Sequence, residues 1–419
     1  MSRLVRIVVA IVFSMIVASA VGADATRALA AADEVRGLWV QHTSLVSPEA
    51  ITAMVNAARD GGFNTVFVQV RARGEAFYNS AIDPRASDLD AAPASFDPLA
   101  TTLDIAHRAG LRVHAWINVN FVASATTLPR SRSHVVFRHP EWLMVPNALA
   151  GPLGNVDPKS PQYVADLARW TRPLSAQIEG LYLSPISEDA QRYTTSVVSE
   201  IATKYAVDGI HLDYLRFPSD AFDYSRTTLA AFRAQRAAQV PAAERQRLDA
   251  RAATEPAIWT NYLPEGWTTF RRDRLTALAT RLAQAARAAR PQVLVTAAVG
   301  KNADESLTYR FQDWRGWSSA GLFDALCPML YTVDGQEFSD LLTRAKSAAH
   351  DTPIWAGIGA FQLPVATTAD RLRLVRRAGV GGFVVFSYDN LIGTSGRPST
   401  YLTALRPAVL EPPAGDSSR

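Results

Sequence analysis

The feature that most constrains this chain is a repeating alternation of short apolar runs and helical stretches that stop at glycine. The apolar runs are 35–41 (VRGLWVQ), 65–70 (TVFVQV), 112–119 (RVHAWINV), 208–214 (DGIHLDY), 293–300 (VLVTAAVG), 325–331 (ALCPMLY), 354–360 (IWAGIGA) and 382–389 (GFVVFSYD). Near-continuous apolar runs of this length are expected of strands buried on both faces of a parallel sheet. Helical stretches lie between most of them. Residues 48–62 carry Pro48 at the first turn and glycine at the stop, and 98–110 and 369–379 follow the same plan. Eight such units predict an α/β fold, a closed (β/α)8 TIM barrel with long βα-loop insertions, over residues 34–406. A ninth apolar run, 180–185 (GLYLSP), is assigned to an excursion between the third and fourth strands, because the segment 190–205 must supply the helix before the fourth. A second excursion spans about residues 217–264.

The ends read differently. Arg3 and Arg6 precede an apolar run from Ile7 to Ala18 and then small residues, the pattern of a secretory signal peptide over 1–23, with a spacer over 24–33. The expectation is an exported protein, periplasmic or secreted, with no stable membrane insertion after signal cleavage, since the run is too short to span a bilayer. Residues 407–419, ending in EPPAGDSSR, are expected to be a disordered tail. Cys327 is the single cysteine, so no internal disulfide forms, and its apolar neighbours predict a buried strand residue.

Composition narrows the function class. Apolar residues make up 48% of the chain and charged residues 20%, enough for a large core. The net charge is +4, and basic residues are scattered over helical stretches without interleaved aromatics, which argues against nucleic acid as a partner. No HExxH motif and no G-x-S-x-G elbow occurs, so neither a zincin nor a serine esterase is indicated. Nothing in the sequence demands a cofactor or a metal.

In such a barrel the chemistry sits where strands end at their C-terminal edge. Arg71, Arg73 and Glu75 lie at or past the end of the second strand. His114, Trp116 and Asn118 alternate along the third and so share a face. His211 and Asp213 share a face of the fourth, followed by Tyr214 and Arg216. Tyr331 ends the sixth, with Asp334 just after it, and Tyr388 and Asp389 end the eighth. A carboxylate inside the apolar run around Asp213 is costly unless paired or used. Glycoside hydrolysis commonly needs two carboxyl groups. Asp213 with Glu75, Asp334 or Asp389 would supply them, and the remaining polar and aromatic positions suit contact with a hydroxyl-rich substrate. Two alternatives stay open. One is a barrel that binds carbohydrate without cleaving it; the other is a metal-dependent deacetylase using His114, His211 and Asp213.

Residues 35–44, 63–80, 112–119 and above all 180–214 (GLYLSP … DGIHLDY) resemble the glycosyl-hydrolase-like 10 family of bacterial barrel proteins, over about residues 34–405. The resemblance implies an exported TIM-barrel glycoside hydrolase acting on a bacterial polysaccharide, with peptidoglycan glycan strands one such substrate; the expected oligomeric state is a monomer. It also implies that Asp213 is the fourth-strand aspartate that serves as nucleophile or general acid/base. The chain departs from the family pattern after Asn118 (VNFVAS), at Glu75 where aspartate is commoner, and at 300–306 (GKNADES), all near the expected cleft.

Overall fold

The computed structural model describes residues 34–392 and 400–412. The signal peptide and spacer expected over 1–33 lie outside the described residues. Eight parallel strands form the central sheet: β1 (Val35–Val40), β2 (Thr65–Ala72), β3 (Arg112–Asn118), β4 (Gly209–Asp213), β5 (Leu294–Val299), β6 (Ala325–Pro328), β7 (Trp355–Gly359) and β8 (Gly382–Phe386). They are hydrogen-bonded in the order β7-β8-β1-β2-β3-β4-β5-β6. Single parallel bridges, Leu326 to Ile354 and Met329 to Gly357, join β6 to β7 and bring the sheet round into a barrel.

Each strand leads to a helix that packs outside the barrel: α1 (Pro48–Asp60), α2 (Pro98–Arg108), α3 (Glu188–Lys204), α4 (Pro264–Ala289), α5 (Trp314–Ser319), α6 (Gly335–Ala348), α7 (Val365–Ala378) and α8 (Tyr401–Leu410). Local sequence sets their starts. Ser47, Asp97 and Ser187 each accept a backbone N–H of the first turn of α1, α2 and α3, satisfying donors that a helix leaves orphaned. α7 ends at Gly379, whose φ of +63° needs a residue without a side chain.

Two cores result. The outer one fills the space between sheet and helices. The inner one fills the barrel with Trp39, Phe67, Trp116, Cys327, Trp355 and Val384, so the barrel is a packed plug as the fold requires. Large interior side chains need a gap opposite them. A Cβ on Gly209 would lie 2.2 Å from the ring of His114, so β4 can carry only glycine there.

Two expectations shift in detail. The eighth run breaks after Phe386, and Tyr388–Leu391 forms a helical turn. The tail expected from residue 407 begins too early, because α8 continues through Pro407 to Leu410, with Ala408 and Val409 buried. Arg376 donates to both of their carbonyls, the last-turn groups that a helix cannot satisfy itself. Residues 413–419 lie outside the described residues.

The run 180–185 does stand apart from the barrel. Gly180–Tyr182 pairs antiparallel with Phe121–Ser124 as a two-stranded sheet above the ends of β3 and β4. The β3–α3 excursion also holds helices Asn147–Gly154 and Pro161–Thr171, and the β4–α4 excursion holds Arg226–Arg236 and Ala242–Arg251. No helix among the described residues is long and apolar enough to cross a membrane.

Candidate active site

The register of β3 and β4 decides which polar residues reach the surface. His114 pairs with Gly209, Trp116 with His211, and Asn118 with Asp213. Because alternate residues point into the barrel, the three pairs form ascending layers, and only the upper ones open on solvent. There a cavity of about 370 Å³ lies across the C-terminal ends of the strands, with Asp213 and Trp116 in its lining. A larger cavity of about 470 Å³ lies between the two excursions, but no carboxylate or histidine lines it.

Asp213 is 6% exposed. One carboxylate oxygen accepts the indole N–H of Trp116 at 3.1 Å, and the other accepts the backbone N–H of Tyr214 at 2.6 Å. The second contact depends on the chain turning sharply after β4, with Tyr214 at φ +53°. Burial pushes the Asp213 pKa up, while Arg216 and the two N–H donors pull it back. Net elevation is expected of a carboxyl group that must hold a proton at the start of a reaction.

The cavity has two kinds of wall. On the β1–β4 side, His42 Nδ1 lies 2.7 Å from Gln69 Oε1, and Gln69 Nε2 donates to Asn118 Oδ1 at 3.3 Å. Gln69 Oε1 can only accept, so His42 is protonated on Nδ1 and its Nε2 is left to accept from Arg73 at 3.3 Å. Burial lowers the pKa of His42, with Arg73 adding to the effect. On the β6–β8 side, Tyr331 and Phe386 stand with ring centroids 5.6 Å apart, and Phe361 closes edge-on against both.

Of the residues singled out from the sequence, Asp213, Arg73, Trp116, Asn118, Tyr214, Arg216 and Tyr331 line this cavity together. The others do not, each for a physical reason. Arg71 is fully buried, paired with Asp83 at 2.7 Å, and donates to the carbonyls of Asn118 and Val119. It braces the ends of β2 and β3 and cannot reach a sugar. His114 is sealed in the barrel against Phe67 and Trp355. His211 accepts the indole N–H of Trp39 at 3.2 Å, so its Nδ1–H donates to Thr296 at 2.9 Å. Burial holds its pKa down to about 3. With both nitrogens engaged, His211 has no lone pair for a metal. Among the described residues, no group of three His, Cys, Asp or Glu is arranged to hold one.

The three other carboxylates also leave the cavity. Asp389 accepts from the backbone of Gln41 and the hydroxyls of Thr43 and Ser44, clamping the β1 loop to the end of β8. Tyr388 beside it is buried. Asp334 caps α6 through the Glu337 backbone N–H. Glu75 accepts the Ser87 backbone N–H and sits near Asp88 and Asp90, with burial raising its pKa.

Sequence reasoning did not single out Trp39, His42, Gln69, Phe121 and Phe386, which also line the cavity. Gln69 and Phe386 carried a usable signal, since each stands on the inward face at a strand end. Phe121 starts the short strand of the excursion and His42 lies in a turn after β1, so neither belongs to the periodic barrel pattern.

Residues 34–369 match the glycosyl hydrolase-like 10 family, so the chain belongs to it. Over 166 residues the chain is 30% identical to glycosyl hydrolase DigH of Escherichia coli K12, covering 36% of this chain and 30% of DigH. It is 25% identical over 162 residues to glycosyl hydrolase YngK of Bacillus subtilis, covering 38% of this chain and 26% of YngK. The matched stretch is thus under a third of either relative's length. Among solved structures, the PgaB (BpsB) glycoside hydrolase domain of Bordetella bronchiseptica superposes with a TM-score of 0.60 at 13% identity, over 90% of this chain and 99% of that one. α-L-Fucosidase isoenzyme 2 of Paenibacillus thiaminolyticus gives 0.57 at 16% identity, over 90% and 49%. At such identities the likeness speaks to the barrel fold alone.

Proposed function

We propose that this family member hydrolyses O-glycosidic bonds in a bacterial envelope or extracellular polysaccharide, with Asp213 exchanging the proton at the glycosidic oxygen. Family membership supports the glycosidase class. The observation that carries the finer reading is Asp213 itself: a buried carboxyl group of raised pKa at the floor of a cavity walled by aromatic rings and amide groups. As the bond from the anomeric carbon to the leaving oxygen breaks, Asp213 gives its proton to that oxygen; water then adds to the carbon and its released proton restores the Asp213 acid. In the interval the Trp116 and Tyr214 N–H groups hold the carboxylate. Tyr331 and Phe386 offer faces for a pyranose ring, and Asn118 and Arg73 offer polar groups to its hydroxyls.

One observation favours a second reading, a carbohydrate-binding barrel without turnover. Among the described residues lining the cavity, Asp213 is the one carboxylate. The test compares wild type with Asp213→Asn on peptidoglycan glycan strands and a panel of exopolysaccharides, with products read by mass spectrometry. Cleavage that drops by about 100-fold or more in a folded mutant supports the hydrolase. Equal cleavage by both removes Asp213 from the chemistry. Binding of a glycan without cleavage by either protein supports the second reading.

A further inference from the structure

Glu179 lies outside the cavity lining, in the excursion that the sequence placed outside the barrel, yet it is tied to the floor of the site. Its backbone has φ +63° and ψ −41°, a region a non-glycine residue occupies only when its surroundings hold it there. Two contacts do so. Glu179 Oε2 accepts the hydroxyl of buried Tyr182 at 2.7 Å, and Oε1 lies 3.4 Å from Nη2 of Arg216. The next residue fixes the approach, because a Cβ on Gly180 would meet the Ala123 carbonyl oxygen at 2.0 Å. Arg216 in turn lies over the Tyr214 ring, 4.3 Å from its centroid, and its Nε is buried without a hydrogen-bond partner. Arg216 lines the cavity with Asp213 but makes its ion pair with Glu179.

Arg216 lines the same cavity as Asp213 and acts on its charge; a guanidinium that closed onto this carboxylate as a two-pronged pair would end its proton-carrying role. We propose that Glu179 is a positioning residue: it anchors Arg216 from the excursion side and keeps the guanidinium from closing onto Asp213, leaving that carboxyl group free to carry a proton. This rests on the assignment of Asp213 to proton transfer. The titratable groups coupled to Asp213 are Tyr214 and Arg216 beyond β4, Cys327 and Tyr331 from the β6 segment, and Glu179 from the excursion. Of these, Glu179 is the one carboxylate. Removing its charge acts on Asp213 in one direction twice: a repulsion is lost, and Arg216 is released toward it. Both favour the ionised form.

The experiment follows the Asp213 carboxyl carbon by NMR in the full chain labelled with carbon-13 aspartate, the signal being assigned by its loss in Asp213→Asn. In Glu179→Gln, which keeps the shape of the side chain, the midpoint moves to lower pH by on the order of half a pH unit. In Arg216→Gln it moves the opposite way. An unchanged midpoint in folded Glu179→Gln overturns the proposal. If that variant does not fold, Arg216→Gln decides it: a midpoint that fails to rise overturns the proposal, since Arg216 then has no hold on Asp213 for Glu179 to restrain. Because the readout needs no turnover, it stands apart from the hydrolase reading, which fails separately if Asp213→Asn retains full cleavage.

Discussion

The two halves of the barrel mouth are built by different physics. On the β1–β4 side, side chains are fixed by directed contacts: His42 to Gln69 to Asn118, Trp116 to Asp213, and Arg71 to Asp83 beneath them. On the β6–β8 side, Tyr331, Phe361 and Phe386 pack their rings against one another, and Phe361 is 38% exposed. The long excursions follow β3 and β4, whereas the loops after β6 and β7 are short. Directed contacts hold an atom to a fraction of an ångström, which proton transfer requires. Ring packing holds a surface, which is all that sugar stacking requires. Under the proposed function, the difference assigns proton transfer to the first half and sugar contact to the second.

The largest effect that would break this division is on Asp213. Asp213→Asn should lower kcat/KM by about 100-fold or more, equivalent to about 3 kcal/mol, while raising stability. The sign follows from linkage. A carboxyl group whose folded pKa lies above its unfolded value contributes stability at low pH and loses it as pH rises through the folded pKa. Above that pH the buried charge is a burden that asparagine removes. Melting at neutral pH should therefore rise by about 1–3 °C, and a fall would mean that the carboxylate holds the site together.

Next in size is the brace under the polar half. Asp83→Ala leaves the guanidinium of fully buried Arg71 without its partner and should cost about 3–5 kcal/mol in a denaturant titration. A cost under about 1 kcal/mol would show that the directed contacts are dispensable. Tyr331→Ala sharpens the comparison from the aromatic side. It should raise KM by about tenfold with kcat nearly unchanged, because stacking is the same in ground and transition states. A kcat loss as large as that of Asp213→Asn would erase the distinction between the halves.

The smallest effect concerns His211. Burial holds its folded pKa down to about 3, so stability that is fully present above the unfolded value of about 6.5 is lost as pH falls toward about 3. Replacing it by Gln should flatten the dependence of melting temperature on pH between about 6.5 and 5.5, by about 1 kcal/mol over that window. An unaltered slope would mean that His211 is not the neutral interior group its two contacts describe.

Much of the scaffold was legible in the residues. Eight apolar runs with helices between them left little but a closed barrel, and Asp213 stood out as a carboxylate no core would tolerate idle. Half of the site was not legible, because strand periodicity reports which face a side chain takes and not how high it sits. His114, His211 and Asp213 share the inward face, yet one pleat of height separates a sealed histidine from an acid on the cavity floor. Arg71 and Asp389 look like site residues in sequence. They are structural because Asp83 and the 41–44 loop happen to reach them in space. Glu179 shows the reverse, since its tie to Arg216 joins residues 37 apart through a loop turn that carries no periodic signal. The sequence by itself determined the elements, their order and the barrel, since those follow from local patterns of burial. Only the tertiary structure decided which polar groups meet, because a hydrogen bond or ion pair depends on distances that strand register and loop paths set.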